Sequence, residues 1–284
     1  MTAADRTPRV SVVVPTFQNA DYVEATIESI LAQTYTDFEL LVSDHSSTDG
    51  TWERLQRFAA DPRVRLWQTQ PGGGAAANWT AVTDAAQGEF VKLVCGDDLL
   101  YPTCLGEQVR AMDAHPSVSL VCCRRDLIDA DGSTVMGGRG MSRIRGLHRG
   151  RAAIRRTVRL GTNVFGEPAS VLIRRDVLLD AGGWWADFPY VIDEATYALV
   201  LLKGDVFALD DSLAAFRISA GQWSVELADQ QAAQVVAFHE ALAQRVPGLL
   251  SRADLAVGAA MARGLSVARR LVYLALARRM SASG

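Results

Sequence analysis

Two adjacent carboxylates close an apolar run at Val94-Cys95-Gly96-Asp97-Asp98-Leu99. Neighbouring acids repel and lose water at a strand end, and a hard divalent cation with oxygen ligands relieves both costs while reaching substrate phosphates. The same two residues also suit a turn that caps a helix. A second polar block, Ser43-Asp44-His45-Ser46-Ser47-Thr48-Asp49-Gly50-Thr51, follows the apolar run Leu40–Val42. Hydroxyls and acids at such a tip suit the base and ribose of a nucleoside, with Asp44 the residue expected to bind. Thr48 and Asp49 fit the capping of the helix that follows.

These residues need elements to hold them. Val10–Val14 is a β-branched run ended by Pro15, the pattern of a buried strand. Val23, Ile27, Ile30 and Leu31 then repeat at helical spacing. Strands are expected at Phe38–Val42, Val64–Trp67, Phe90–Val94 and Val118–Cys123. Helices are expected around Trp52, Leu55 and Phe58, and from the glycines 72–74 to about Gln87. Such alternation predicts a doubly wound, mostly parallel sheet with helices on both faces. Ligands bind such sheets beyond the carboxyl ends of the strands, which singles out the loops Pro15–Ala20, Ser43–Gly50, Pro71–Ala77 and Cys95–Tyr101. Further on, Ala169–Ile173 and Val206–Leu209 read as strands, and the chain from Glu226 reads as helical.

The bulk numbers fit a globular enzyme. The 284 residues are 49% hydrophobic and 21% charged. A net charge of −3 argues against nucleic acid as the partner. The four cysteines, Cys95, Cys104, Cys122 and Cys123, form no CxxC pair and lie mostly in apolar stretches, so neither a disulfide framework nor a zinc site is expected. With no apolar leader and no window of about 18 apolar residues, a cytoplasmic protein is expected.

Taken in order, four segments resemble the family 2 glycosyltransferases of the GT-A fold over about residues 8–220: Val10–Phe17, Ser43–Thr51, Asn78 before a helix ending in Gly88-Glu89-Phe90, and the Gly-Asp-Asp segment. The resemblance implies a GT-A domain over residues 1–225, with a nucleotide-binding half at about 8–130 and an acceptor half at about 131–225. A helical segment, 226–284, follows. It implies that Pro15, Thr16 and Phe17 line the nucleotide pocket, with Asp44 near the base and His45, Asn78 and Asp97 completing the donor site. It further implies that Asp97 and Asp98 hold Mg²⁺ or Mn²⁺ on the diphosphate of a UDP or dTDP sugar. The first acid of the family's Asp-x-Asp-Asp pattern is replaced here by Cys95.

Transfer of a sugar to a hydroxyl needs a general base. The family places an acid before a helix in the acceptor half, and the matching stretch is Tyr190–Tyr197, where Asp193 is the expected base and Glu194 the alternative. Attack opposite the leaving group implies inversion at the anomeric carbon, with a glycan or lipid-linked acceptor. Trp184 or Trp185 is a candidate for stacking on a sugar, with core packing an equal reading; Trp79 and Trp223 read as packing. Glu167 is an isolated acid in the expected acceptor loop.

Eight arginines fall between Arg139 and Arg159. They suit a solvated face, a grip on an anionic acceptor, or closure over the donor diphosphate. A C-terminal helix through Leu265, Ala268, Leu271, Val272, Leu274 and Ala275, flanked by arginines, suits peripheral contact with the inner face of a membrane, packing on its own domain, or a homodimer. A dinucleotide oxidoreductase would carry GxGxxG after the first strand and a P-loop enzyme GxxxxGK[ST]; neither is present. A nucleotidylyltransferase would open on a glycine- and arginine-rich loop, also missing. The alternative that stays open is a non-catalytic relative that binds nucleotide sugars.

Overall fold

The run Val10–Val14 is buried at every position because the strand it forms is covered on both faces. Val10, Val12 and Val14 enter one apolar cluster with Ile27, Ile30, Leu105 and Met112, while Val13 enters another with Val82, Ile154 and Tyr197. A computed structural model describes residues 7–140, 145–218 and 230–282. Arg143 and Trp223 lie outside the described residues, as do the side chains of Ala268 and every residue after it.

The first half runs β1 (Val10–Thr16), α1 (Val23–Leu31), β2 (Phe38–Asp44), α2 (Thr51–Leu55), β3 (Val64–Gln68), α3 (Gly74–Asp84), β4 (Phe90–Leu93), β5 (Leu99–Leu100), α4 (Cys104–Ala114) and β6 (Val118–Ile128). The second half runs β7 (Thr134–Arg139), β8 (Gly146–His148), α5 (Gly150–Leu160), β9 (Val171–Arg174), α6 (Arg175–Asp180), α7 (Ile192–Leu201), β10 (Asp205–Arg217), α8 (Gln231–Arg245) and α9 (Arg252–Ala282). The sheet order is β3-β2-β1-β4-β9-β6-β10-β5, with β7 added to β6 and β8 to β10.

Strands β3, β2, β1 and β4 are parallel. β9 inserts antiparallel between β4 and β6, and β10 runs parallel to β6. Six strands therefore point one way, as expected, and their carboxyl ends share one edge. The apolar pattern predicts a strand at 206–209, whereas β10 spans 13 residues; bulges around Ala208–Ala214 absorb the polar Asp210-Asp211-Ser212 that breaks the pattern. The α3 helix stops at Asp84, three residues short of the expected end.

Arginines of the 139–159 run pair with the protein's own acids. Arg145 pairs with Asp210, Arg149 with Asp205, and Arg155 and Arg159 both with the fully buried Asp254. Asp254 also accepts the backbone N–H and hydroxyl of Ser251, capping α9, while Ser251 Oγ accepts Asp254 N–H in return. Backbones meet closely beside this clamp: a Cβ on Gly258 would lie 2.3 Å from Val158 O, and one on Gly161 2.4 Å from Ala262 N. The first turns of α9 thus pack on α5 of their own domain. Asp254→Ala should lower stability by about 2–4 kcal/mol, from a lost cap and lost charge-assisted hydrogen bonds; a urea melt with an unchanged midpoint would remove the clamp's importance. The Ser251 cap, and after it Arg159 and Arg155, draws the Asp254 carboxyl far below its ordinary range, so this stabilisation is present above about pH 4 and lost only in stronger acid.

Candidate active site

At the carboxyl edge, β1 and β2 end side by side, Thr16 opposite Asp44. Asp44 is fully buried and accepts four hydrogen bonds. Thr16 Oγ1 (3.2 Å) and Ser47 Oγ (2.5 Å) donate to its Oδ1; Ser47 N and Gln68 Nε2 (both 3.1 Å) donate to its Oδ2. A carboxylate offers about four lone-pair positions, so this one is already engaged by the protein. Asn78 is equally internal: its Nδ2 donates to the carbonyls of Thr16 and Ser43, and its Oδ1 accepts the Ser43 hydroxyl at 2.6 Å. Pro15, Thr16, Asp44 and Asn78 thus make a floor of knitted strand ends. Above it, Phe17 is 57% exposed and stands edge-on to His45 at 6.2 Å, with His45 held through Nδ1 to Thr69 Oγ1 at 2.7 Å. Thr48 hydrogen-bonds Gln18 across the loop rather than capping α2, whose N-cap is Gly50, while Asp49 accepts the N–H and hydroxyl of Thr51 and the N–H of Ala20.

The two adjacent acids separate. Asp98 is fully buried; its Oδ1 accepts the backbone N–H of Arg217 at 3.1 Å, and its Oδ2 is enclosed without a hydrogen-bond partner. Burial, then the charge of Asp97, pushes its carboxyl well above the ordinary range. Only Asp97, half-buried, keeps an open side. The chain turns through Gly96 and Asp97 after β4, which sends Asp98 into the protein, so of the two expected ligands only Asp97 has a side open to a cation. Among the described residues no three His, Cys, Asp or Glu side chains converge on one point. A single strand-tip carboxylate fits Mg²⁺ or Mn²⁺ of the kind that takes its remaining oxygens from water and substrate phosphates.

Helix α7 brings the acceptor-half acids to the same edge. Glu194 is buried and accepts the Thr157 hydroxyl at 3.0 Å, so it belongs to the core. Asp193 is half-buried; its Oδ1 accepts Glu194 N–H at 2.7 Å and its Oδ2 accepts Asn163 Nδ2 at 2.9 Å. Burial, assisted by the negative charge of Glu167, raises its carboxyl to about 7 despite the opposing hydrogen bonds. That value suits proton transfer at neutral pH. Glu167 itself is paired with the buried Arg125, which draws its carboxyl down against the effect of burial.

Trp79, Trp184 and Trp185 each pack against other aromatic rings of the protein. Trp184 is buried, donates to Thr83 Oγ1 at 2.8 Å and meets Trp79 edge-on at 5.1 Å. Trp185 lies among Phe188, Phe238 and the Arg245 guanidinium. Two cavities lie away from this edge. One, of about 170 Å³, sits beside His239 between α8 and α9; the other, of about 530 Å³, opens at the amino ends of β6 and β10. Neither is lined by Asp44, Asp97, Asp98, Glu167 or Asp193. Sequence reasoning missed Asn163, Arg125 and Arg217. For the two arginines a signal existed, since each is a charge inside or at the end of an apolar strand run, where it is costly unless paired.

A model of glycosyl transferase family 2 matches residues 11–181, which span β1 to α6 and include the Gly-Asp-Asp segment. The chain belongs to glycosyl transferase family 2. A curated relative, the UDP-Glc:alpha-D-GlcNAc-diphosphoundecaprenol beta-1,3-glucosyltransferase WfaP of Escherichia coli, is 30% identical over 106 residues, 37% of this chain and 42% of its own. S. aureus TarS 1–349 in complex with UDP-GlcNAc superposes with a TM-score of 0.70 at 19% identity, covering 87% of this chain and 69% of that one. The mannosyltransferase PcManGT from Pyrobaculum calidifontis, in complex with GDP-Man and Mn²⁺, superposes with a TM-score of 0.59 at 19% identity, covering 96% and 81%. These structures share the fold, the GT-A arrangement expected from the strand–helix pattern. This family 2 glycosyltransferase spans less than half the length of most curated relatives it matches. Among the described residues no helix is long and apolar enough to cross a membrane.

Proposed function

We propose that this glycosyltransferase moves a sugar, with inversion, from a nucleoside diphosphate donor to a hydroxyl of a glycan or lipid-linked acceptor in cell-surface polysaccharide assembly. A UDP or dTDP sugar is the donor in this reading. The observation that carries it is Asp193, a half-buried carboxylate raised to about 7 at the same sheet edge as Asp97. The acceptor hydroxyl attacks the anomeric carbon from the face opposite the diphosphate, its proton passes to Asp193 Oδ, and the C1–O bond breaks with its electron pair leaving on the nucleoside diphosphate. Asp97 would hold Mg²⁺ or Mn²⁺, which supplies charge stabilisation to that leaving group when bound. Phe17 and His45 offer the exposed aromatic corner against which a base would lie, over the floor of Pro15, Thr16, Asp44 and Asn78. The UDP-sugar relatives and the polysaccharide-assembly relatives support the donor class and the setting. Exposed Val257, Met261 and Val267 beside Arg263 on α9 support work at the inner face of a membrane, where a lipid-linked acceptor would be met.

The test separates the two acids. UDP titrated with and without Mn²⁺ should show that Asp97→Asn loses the metal-dependent part of the affinity, about tenfold or more. Asp98→Asn, whose site is closed to solvent, should keep it. Equal loss in both variants would make Asp98 a second ligand, whereas a wild-type protein that binds UDP without any metal response and releases no sugar would reject the reading in favour of a non-catalytic binding protein.

A further inference from the structure

Asp193 takes one hydrogen bond from its own helix and one from outside it, and the outside donor is Asn163, in the loop between α5 and β9. Every hydrogen-bonding position of the Asn163 amide is used. Its Oδ1 accepts the backbone N–H groups of Phe165 (2.9 Å) and Gly166 (3.2 Å). Its Nδ2 donates to Gly166 O and to Asp193 Oδ2, both at 2.9 Å. A side chain with two donors and two acceptors, all satisfied, has one orientation.

The turn it closes is itself anchored. Gly166 adopts a φ of +99°, and a Cβ there would meet the Ser170 side chain at 3.0 Å. Glu167 follows at once and pairs with Arg125 of β6 through both of its oxygens, one contact at 2.8 Å. Arg125 in turn donates to Arg139 O. The loop is therefore fixed to the sheet at one end and presents a single N–H to Asp193 at the other.

We propose that Asn163 is the positioning residue of the general base: with one donor on each carboxylate oxygen, from Asn163 and from Glu194 N–H, the plane of the Asp193 carboxylate is set and its remaining lone pairs are turned to the acceptor hydroxyl. This inference rests on the reading of Asp193 as the base. It adds a role for Asn163, a residue that sequence reasoning missed. The groups whose charge or dipole reaches Asp193 are Glu167 and Arg125 from the loop and β6, Cys95 from the tip of β4, and Tyr197 from its own helix. The Asn163 hydrogen bond favours the ionised carboxylate against burial and against Glu167.

Asn163→Ser is the discriminating variant, and Asn163→Asp the more drastic one. The latter keeps an oxygen to cap Phe165 and Gly166 and replaces the donor facing Asp193 with a second carboxylate oxygen. Sugar transfer from a UDP sugar, followed as UDP release across pH 5–9, should show the acidic limb moved upward by about one unit or more. At pH 7 kcat should fall by roughly ten- to a hundredfold while the Kd for UDP stays put. Asn163→Ser, too short to reach Asp193, should shift the limb in the same direction. If Asn163 only closes its loop, the charge-neutral Asn163→Ser keeps the wild-type pH profile, and the inference is wrong. The two readings fail separately: an active Asp193→Asn enzyme removes the base assignment, whereas an inactive Asp193→Asn enzyme beside an unshifted Asn163→Ser profile removes only the role of Asn163.

Discussion

Asp193→Asn should reduce sugar transfer by two to four orders of magnitude at pH 8 while leaving UDP affinity within about twofold, the loss expected when a positioned base is removed. The amide keeps the size of the carboxyl and its place at the start of α7, so a fall in kcat without a change in donor binding would isolate the proton-transfer step. Wild-type kcat/KM should also fall about tenfold per pH unit below pH 7, because only the ionised carboxylate accepts a proton and its carboxyl sits at about 7. The variant should have lost that limb together with the activity.

Stability supplies an independent reading of the same group. The folded chain keeps a proton on Asp193 up to about pH 7, whereas the unfolded chain releases it near pH 4. Its contribution to stability is therefore fully present below about pH 4 and lost as pH rises through 7. Asparagine has no such dependence, so the stability difference between wild type and variant should move in favour of the variant from pH 4 to pH 8. The gap between the two titrations sets a ceiling of about 4 kcal/mol on that change, lowered because the carboxylate is partly open to water. Paired urea melts at the two pH values measure it; a constant difference, or transfer that survives in Asp193→Asn, would remove the base from this position.

The features legible in the sequence were those with a period or a cost. Val10–Val14, Phe38–Val42 and Phe90–Val94 read as strands because burial on both faces leaves an unbroken apolar run, and the strand–helix alternation implied the parallel half. The antiparallel insertion of β9 was not legible, since Val171–Arg174 carries the same apolar signature whichever way it runs. Adjacent acids were the harder case. Asp97 and Asp98 look alike in a string of letters, yet the turn between β4 and β5 sends Asp98 into the protein and leaves Asp97 at the edge. Asp193 and Glu194 differ by about 100° of helix rotation, which sends Glu194 to Thr157 and Asp193 to Asn163. Asp44 stands out as an acid at a strand tip, but its four protein donors come from residues up to 28 positions away, a convergence that no local pattern records.

Arg217→Met should cost about 3–5 kcal/mol and loosen the Asp97 loop at the same time. Arg217 ends β10 and is only 4% exposed. Its Nε donates to Asp97 O at 2.9 Å, and its Nη1 donates to Asp129 O and Ala130 O at 2.8 and 2.9 Å. The guanidinium lies 4.6 Å from the centre of the Tyr22 ring. One side chain therefore ties the tips of β4, β6 and β10 together beneath the residue proposed to hold the cation. Methionine fills much of the same volume and donates nothing, so three carbonyls in a closed space lose charge-assisted partners worth about 1.5–3 kcal/mol each, part of which water entering the gap restores. The bond from Arg217 N–H to Asp98 is main-chain and survives, so the expected damage falls on the position of Asp97 rather than on the burial of Asp98. Lysine should be intermediate, because a single ammonium cannot span the carbonyls that a planar fork reaches. Urea melts and UDP titrations with Mn²⁺ together read the outcome: a lower midpoint with at least tenfold weaker metal-dependent affinity is expected. A melting curve and an affinity both unchanged in Arg217→Met would mean that the strand tips hold the Asp97 loop without this arginine.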